Sequence, residues 1–336
     1  AIFARLMNYE IRRDEQLYVP PALLLEQYGL YTEFFYNHVP GSAWLFHAVK
    51  DVLETSYLLL ASRLAVFGAW LFFAGSVAWV SYALTRSAVF TLFSILLILT
   101  NDAFLTVTGM TATNNLLPLP FVYLGLGLFI VGVSSDRGRP VLLYLAADPE
   151  LFLAHVVGFH TGPHVTYWAA QTGEGADVAM SLAAKAQLSY LVWTGGANSI
   201  LILGLVLVAL LVAEGQTIRS FGRKVLTGPL LLVLATTVTI FIMSFVPTPS
   251  FPQYFAPVIV CFALLLSLLY SRLDSAQQVR IRPVLLAACV VLLILNLPRL
   301  TQHLGQLRHP GSWTPMQVHG HGIALAERLA EAQVEG

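Results

Sequence analysis

The stretch LAVFGAWLFFAGSVAWVSYAL, residues 64–84, determines the class of this protein. It contains no acidic or basic residue, and a helix of this length, rising about 1.5 Å per residue, covers roughly 30 Å. That length matches the hydrocarbon core of a bilayer. Apolar and polar residues do not alternate as they do in barrel strands, and lipid cannot satisfy an open backbone. The stretch therefore predicts a transmembrane helix.

The rest of the chain has the same apolar character. Hydrophobic residues make up 57% of its 336 residues and charged residues only 11%, with a mean hydropathy of +0.73. Soluble domains carry about 25% charged residues. Further apolar runs lie at Ser87–Thr100, Leu116–Val133, Asn198–Ala213, Val225–Val246, Tyr254–Tyr270 and Pro283–Leu297. We predict an all-α polytopic membrane protein, and its zero net charge argues against a nucleic-acid partner.

The loops between these runs differ in charge, which predicts their sidedness. One set is short and basic, and the positive-inside rule places it in the cytoplasm. Its basic residues are Arg86, Arg137, Arg139, Arg219, Arg223, Lys224, Arg272, Arg280 and Arg282. The opposite set is long, comprises 1–56, 147–197 and 298–336, and holds all nine histidines. We expect the functional residues on that outer side.

Near residues 140 and 141, the spacing between an inner and an outer loop is too short for a membrane crossing. A basic inner loop at Ser134–Pro140 and an outer loop from Asp148 are separated only by Val141–Ala147. Seven helical residues rise only about 10 Å. Either the loop assignment is wrong or a stretch with an odd number of crossings is omitted here, and we favour the omission. We expect a transmembrane domain over 1–300 and an outer linker over 301–336, leading to a periplasmic domain beyond residue 336.

The first outer loop contains an unusual polar cluster, Arg12-Arg13-Asp14-Glu15. Adjacent carboxylates point in different directions, so one could act on a substrate while Arg12 or Arg13 holds the other. An ionised aspartate suits general-base work on a sugar hydroxyl near a phosphate. The alternative is a solvated loop with a surface ion pair of little energetic value.

The same loop resembles the first periplasmic loop of GT-C glycosyltransferases. The resemblance rests on Arg13-Asp14-Glu15, Leu30–Phe35 and Asn37–Gly41. It is greatest for the group of dolichyl-phosphate-mannose–protein mannosyltransferases and aminoarabinose transferases. Gly41 replaces the second proline of the family's turn, and Trp44–Leu53 corresponds to an amphipathic helix lying on the membrane.

Three further segments are similar to that family. Thr108–Asn115 matches a run that opens a helix, although Thr113 and Asn115 replace its charged residues. The segment from Asp148 through 168 resembles the long outer loop that covers the lipid-linked donor. Pro252–Pro257 resembles the Pro-x-Tyr-x-x-Pro start of a late helix.

The resemblance implies a GT-C-type transmembrane helix bundle with outer-face loops and short amphipathic helices, in a bacterial inner membrane with its site facing the periplasm. It implies an inverting transfer of sugar from a polyprenyl-phosphate donor to a lipid, protein or glycan hydroxyl, with Asp14 and Glu15 as the catalytic residues and Asp14 as the base. Donor phosphate contacts are expected from Arg12, Arg13, His38, His160 and His164. Sugar or acceptor contacts are expected from Tyr31, Tyr36, Asn37, Asn114, Asn115, Tyr167, Trp168 and Tyr254. No cofactor is required, and a divalent metal is possible with its ligands unassigned.

Several alternatives stay open. His155, His160 and His164 could form part of a zinc site, contact substrate or lie at the interface, and the zinc set is incomplete. The rival function is a lipid or solute transporter or flippase, which would place charges at mid-membrane. A non-catalytic membrane scaffold is the third reading. The assigned spans carry no central charge, and the chain shows no repeat.

Smaller features carry expectations of their own. Arg63, next to the first span, is expected to reach the lipid headgroups. Gly125 and Gly127 are expected to permit close helix packing. His309 and 319–321 are expected to lie in the flexible outer linker.

Overall fold

A computed structural model of the chain describes residues 1–134, 180–194, 204–210 and 228–331. These residues are mostly helical. The first half contains α1 Ile2–Asn8, α2 Glu15–Tyr18, α3 Pro21–Leu24, α4 Gly41–Val52, α5 Leu58–Thr85, α6 Ala88–Leu99 and α7 Leu119–Ser134. The second half contains α8 Leu182–Thr194, α9 Gly228–Ser244, α10 Pro257–Ser271, α11 Ser275–Thr301 and α12 Thr314–Glu331. A π-helical turn at Phe104–Thr108 and a 3₁₀ turn at Pro252–Phe255 complete the parts that position the site.

Three segments are long and apolar enough to cross a membrane: Leu58–Thr85, Pro252–Ser271 and Ser275–Arg308. Shorter apolar helices lie at Ala88–Leu99, Leu119–Gly132 and Gly228–Ser244. The predicted helical, membrane-type character is therefore confirmed, and the full number of crossings stays a prediction. The run predicted at 198–213 is described only at 204–210, which is helical. The expected omission near 140 and 141 lies outside the described residues.

The helix ends follow from local sequence. After α5, Arg86 adopts the left-handed conformation with φ 53°, and Ser87 then accepts a hydrogen bond from the Phe90 amide at 3.3 Å. This cap lets α6 start immediately after α5 ends. Asp274 and Gln277 form a capping box that starts α11. The turn after α5 brings α5 and α6 side by side, and α11 packs against α6.

Helix α5 is the centre of the bundle. It packs against α1, α4, α6, α7, α10 and α12. Trp70 on α5 meets Phe104 edge to face at a centroid distance of 6.3 Å, and its indole N–H donates to the Gly109 carbonyl at 2.8 Å. These contacts hold the connection between α6 and α7 against α5, beside the first loop.

The helix expected at Trp44–Leu53 is confirmed as α4, Gly41–Val52. It buries Ala43 and Phe46 and exposes Trp44, Leu45 and Val52. Its position on a membrane surface stays a prediction.

The C-terminal region differs from the linker expected over 301–336. Residues Thr314–Glu331 form α12, which packs against α1 and α5. The Trp313 and Phe3 rings meet edge to face with their centroids 5.5 Å apart. The centroids of the His319 and Tyr57 rings are 4.1 Å apart. Aromatic contacts of this type anchor the segment, so residues 314–331 form a packed helix where a flexible linker was expected.

Candidate active site

Glu15 and Arg63 form a fully buried ion pair beneath the first loop, with side-chain exposures of 0%. The Arg63 Nε donates to Glu15 Oε1 at 3.0 Å and the Nη2 donates to Oε2 at 2.9 Å. Such bidentate pairs are the strong, geometrically specific ones. From the sequence, Arg12 or Arg13 was expected to hold one carboxylate and Arg63 to reach the headgroups. The structure corrects both expectations, because Arg63 turns inward and takes Glu15.

The remaining polar atoms of this pair also have partners. Glu15 accepts further hydrogen bonds from the backbone amides of Ala112 at 2.8 Å and Arg12 at 3.2 Å. The Arg63 Nη1 donates to the carbonyls of Leu6 at 2.8 Å and Tyr9 at 2.9 Å. The pair therefore ties the first loop and the segment before α7 to helix α5. Glu15 is fully occupied as a positioning residue.

Asp14, the neighbour of Glu15, is in a different environment. It is half-buried, and no group in the described parts of the chain donates a hydrogen bond to its carboxylate. Burial raises the pKa of Asp14, while the nearby Arg13 guanidinium opposes this rise and the Glu15 carboxylate adds to it. Asp14 is thus a carboxylate with free acceptor capacity and increased basicity.

Tyr18 lies one helical turn after Asp14, since its amide donates to the Asp14 carbonyl at 3.1 Å. The Tyr18 hydroxyl lies 3.0 Å from His38 Nδ1, and the two rings stack at 4.1 Å. The Tyr18 side chain also hydrogen-bonds Asn114. Burial raises the pKa of Tyr18 well above its usual range, so this phenol is a neutral hydrogen-bonding group.

His38 is surrounded by the aromatic residues of its own loop. The Tyr31 hydroxyl donates to the His38 carbonyl at 2.6 Å, and the Tyr36 ring meets the His38 ring edge to face at 5.6 Å. The Tyr36 hydroxyl lies 2.9 Å from Ser42 Oγ at the start of α4. Burial raises the pKa of both tyrosines to about 12. These contacts give the loop a defined shape.

Tyr254 joins the cluster from the far end of the chain. It lies in the 3₁₀ turn before α10 and interacts electrostatically with Asp14 and with Tyr18. Asp14, Tyr18, Asn114 and Tyr254 therefore meet at one end of the bundle although they come from three separate segments. Tyr18 is not among the site residues predicted from the sequence, although the spacing of four residues between Asp14 and Tyr18 was an available signal.

The other expected site residues fall in different places. Arg12 pairs with Glu10 at 2.7 Å and lies over the Tyr9 ring at 5.8 Å. Asn37 is half-buried in the loop. The backbone N–H of Asn115 donates to Thr113 Oγ1 at 3.4 Å. Outside the described residues lie His160, His164, Tyr167 and Trp168.

Metal-ligand atoms come together at a separate position. Atoms of Glu26, His47 and Asp51 lie within 4.8 Å of one another. The Lys50 ammonium pairs with Glu26 and lies 3.6 Å from Asp51 Oδ1. A positive charge therefore already lies between these carboxylates, and we assign no metal to them.

Comparison of the chain with protein-family models, curated proteins and solved structures gives no match. Function is therefore inferred from the chemistry of the site. Its central feature is a basic, accessible carboxylate at Asp14 among aromatic, amide and guanidinium groups.

Proposed function

We propose that this protein is a membrane glycosyltransferase that moves a sugar from a polyprenyl-phosphate donor to an acceptor hydroxyl at the outer, periplasmic face. The observation that supports this best is the difference in hydrogen bonding between Asp14 and Glu15. Four hydrogen bonds occupy Glu15, whereas no described group occupies the Asp14 carboxylate. A structural ion pair needs no second carboxylate beside it, so Asp14 is the candidate base.

The reaction follows from these groups. The acceptor hydroxyl attacks the anomeric carbon as Asp14 takes its proton, and a new carbon–oxygen bond forms with inversion. The bond between the anomeric carbon and the phosphate oxygen breaks, and the phosphate leaves with the electron pair. A phosphate needs no protonation to leave, but its negative charge needs cationic partners. Arg13 and Arg12 lie near enough to Asp14 to influence its pKa, which supports this role, and Arg13 is the stronger candidate because Arg12 also pairs with Glu10.

The surrounding residues suit a sugar and a lipid. Aromatic faces bind the apolar faces of sugars, and Asn114 and Tyr18 present amide and phenol groups next to Asp14. Long apolar helices such as α5 and α11 provide a wall for a prenyl chain. A lipid-linked sugar would thus match both surfaces at this end of the protein, the aromatic and polar one through its sugar and the apolar one through its prenyl chain.

One feature of the alternative, a transporter, is present in the structure. Arg63 is an ionisable residue buried in helix α5, and transporters carry such residues on their pathways. Its donors are occupied by Glu15 and by two backbone carbonyls. A saturated pair is a structural link and not a mobile binding site, which favours the enzyme.

The test is transfer from a panel of labelled polyprenyl-phosphate sugars by protein reconstituted in lipid. Asp14→Asn should reduce transfer or donor hydrolysis by about 100-fold or more, the range for losing a general base. Glu54→Gln is the matched control, because Glu54 is an exposed carboxylate of the same outer region. Turnover by Asp14→Asn equal to that of Glu54→Gln would exclude Asp14 as the base. Folded wild-type protein that turns over no donor would favour the transporter.

A further inference from the structure

Lys185 on α8 is a buried cation that has no role in the reaction proposed above. It is 5% exposed, and its ammonium donates to the Phe245 carbonyl at 2.9 Å and to Thr248 Oγ1 at 2.7 Å. Neither oxygen carries a formal charge. In residues 1–134, 180–194, 204–210 and 228–331, no carboxylate pairs with Lys185.

A buried ammonium without a counter-ion is unfavourable, because dipoles replace only part of its hydration. The Phe245 carbonyl follows the last residue of α9, so it lies at the negative end of that helix and offsets some of this cost. An ammonium has three donors, and the two bonds above leave one. Burial lowers the pKa of Lys185, as expected for a charge that lacks a compensating anion.

The position of Lys185 connects it to the Asp14 cluster. Helix α8 packs against the 3₁₀ turn Pro252–Phe255, and the Trp193 indole donates to the Phe255 carbonyl at 3.0 Å. Tyr254, in the same turn, interacts with Asp14. The segment between Thr248 and Tyr254 is short and folds back on itself, since Ser250 Oγ donates to the Pro247 carbonyl at 2.7 Å. Lys185 thus contacts the start of the segment 248–254, and Asp14 interacts with Tyr254 at its end.

We propose that Lys185 binds a phosphate oxygen of a lipid-linked substrate through its third ammonium donor. This inference rests on the proposed function and adds a phosphate-binding residue from a helix that the sequence motifs did not mark. Lysine suits this role as a compact point charge, whereas arginine gives planar, bidentate contacts. The negative charge of the departing phosphate would then be shared between Lys185 and the arginines of the first loop.

The experiment measures binding of a polyprenyl phosphate to the full chain in nanodiscs of neutral lipid. Separate arms use the uncharged polyprenol of equal chain length and inorganic phosphate. Lys185→Met should weaken polyprenyl-phosphate binding about tenfold or more, as expected for one charge-assisted hydrogen bond, and should leave polyprenol binding unchanged. Lys50→Met is the matched control, because Lys50 is a lysine of the outer region already paired with Glu26. If the methionine variant does not fold, Lys185→Gln keeps polar contacts to Thr248 and removes the charge.

Unchanged polyprenyl-phosphate affinity in a folded Lys185 variant would overturn the proposal and leave Lys185 as a cap for α9. Inorganic phosphate that binds as tightly as the lipid would overturn the assignment to a lipid-linked substrate. The two proposals fail separately. If Lys185→Met transfers sugar with an unchanged KM, only the proposed role of Lys185 is contradicted. If binding depends on Lys185 but no sugar is transferred, only the proposed glycosyltransferase activity is contradicted.

Discussion

At the scale of single residues, environment separates two chemically similar neighbours. Glu15 is buried against Arg63 with bonds of 2.9 and 3.0 Å, so its charge is fully compensated. Asp14 is half-buried with an elevated pKa, so its ionised form is the less stabilised of the two. The proposed base and its structural support therefore occupy consecutive positions.

The first prediction concerns the pH dependence of sugar transfer. Asp14 must be ionised to accept a proton, and burial raises its pKa. We expect kcat/KM to be low at pH values below this elevated pKa and to rise to a plateau above it. The profile is measured on wild-type protein beside Glu54→Gln, which should leave it unchanged. A flat profile across the acid range would contradict the role of Asp14.

The second prediction concerns the effect of the same group on stability. An Asp with a folded-state pKa above its unfolded value of about 3.9 binds more protons when folded. The contribution to stability is therefore present below the unfolded pKa and is lost as pH rises through the folded pKa. Asp14→Asn stays neutral, so it should raise the Tm at pH 7 and converge with wild type in acid.

Thermal unfolding in detergent at a series of pH values tests this. A Tm for Asp14→Asn below that of wild type at pH 7 would show that Asp14 stabilises the fold. Loss of activity together with a gain in stability is the pattern of a functional residue.

The third prediction concerns the Glu15–Arg63 pair. Removing one partner leaves an uncompensated buried charge, so Arg63→Met should lower the free energy of unfolding by about 3–5 kcal/mol. The double variant Arg63→Met with Glu15→Leu should lose less than Arg63→Met alone. Lys50→Met removes an exposed pair and should leave the Tm nearly unchanged. Additive effects of the two substitutions in the double variant would show that the residues are not coupled.

At the scale of helices, α5 positions the site because it contacts most of the other elements. Its packing against α7 includes a close approach at a glycine. A Cβ at Gly127 of α7 would lie 2.4 Å from the Val80 Cγ2 atom of α5, whereas a Cβ at Gly125 would meet open space. The expectation of close packing is confirmed for Gly127, whereas no atom of the described residues lies within 4 Å of a Cβ at Gly125.

The fourth prediction follows from this difference. Gly127→Ala should destabilise the bundle by about 1–3 kcal/mol, the usual cost of overpacking. Gly125→Ala is the matched control and should be neutral or slightly stabilising, since alanine is the better helix former. Val80→Ala should restore much of the stability of Gly127→Ala, as measured by thermal unfolding. Equal effects of the two alanine variants would refute close packing at Gly127.

At the scale of the whole molecule, the candidate site and a basic loop lie at opposite ends of α10. Tyr254 directly precedes this helix, and Arg272 directly follows it. Fifteen residues of helix separate the two ends, which is about 22 Å at 1.5 Å per residue. This geometry agrees with a site on one side of a membrane and basic residues on the other.

The fifth prediction tests this sidedness. Cysteine at Glu54, in the outer region, should react with a membrane-impermeant maleimide on intact cells. Cysteine at Ser275, exposed at the start of α11, should react only after the membrane is permeabilised. The native Cys261 and Cys289 are buried and should give little background. Labelling in the reverse order would place the Asp14 cluster in the cytoplasm.

The amino-acid sequence by itself determined the helical, membrane-type class and most helix positions. An apolar run such as residues 64–84 forms a helix for local reasons, namely its composition, its length and the need to satisfy its backbone. The sequence also singled out Asp14, because a polar cluster next to a membrane span is visible without any structure.

Only the tertiary structure decided which groups meet. Arg63 and Glu15 are 48 residues apart, and Tyr254 reaches Asp14 from the other end of the chain. Nothing local in the sequence marks Arg63 as inward-facing, because its direction depends on the carboxylate and carbonyls that folding brings to it. For the same reason the roles of Tyr18 and Lys185 emerge only from the packed bundle. Burial and partner choice are properties of the assembled helices, and they turn two adjacent carboxylates into one support and one candidate base.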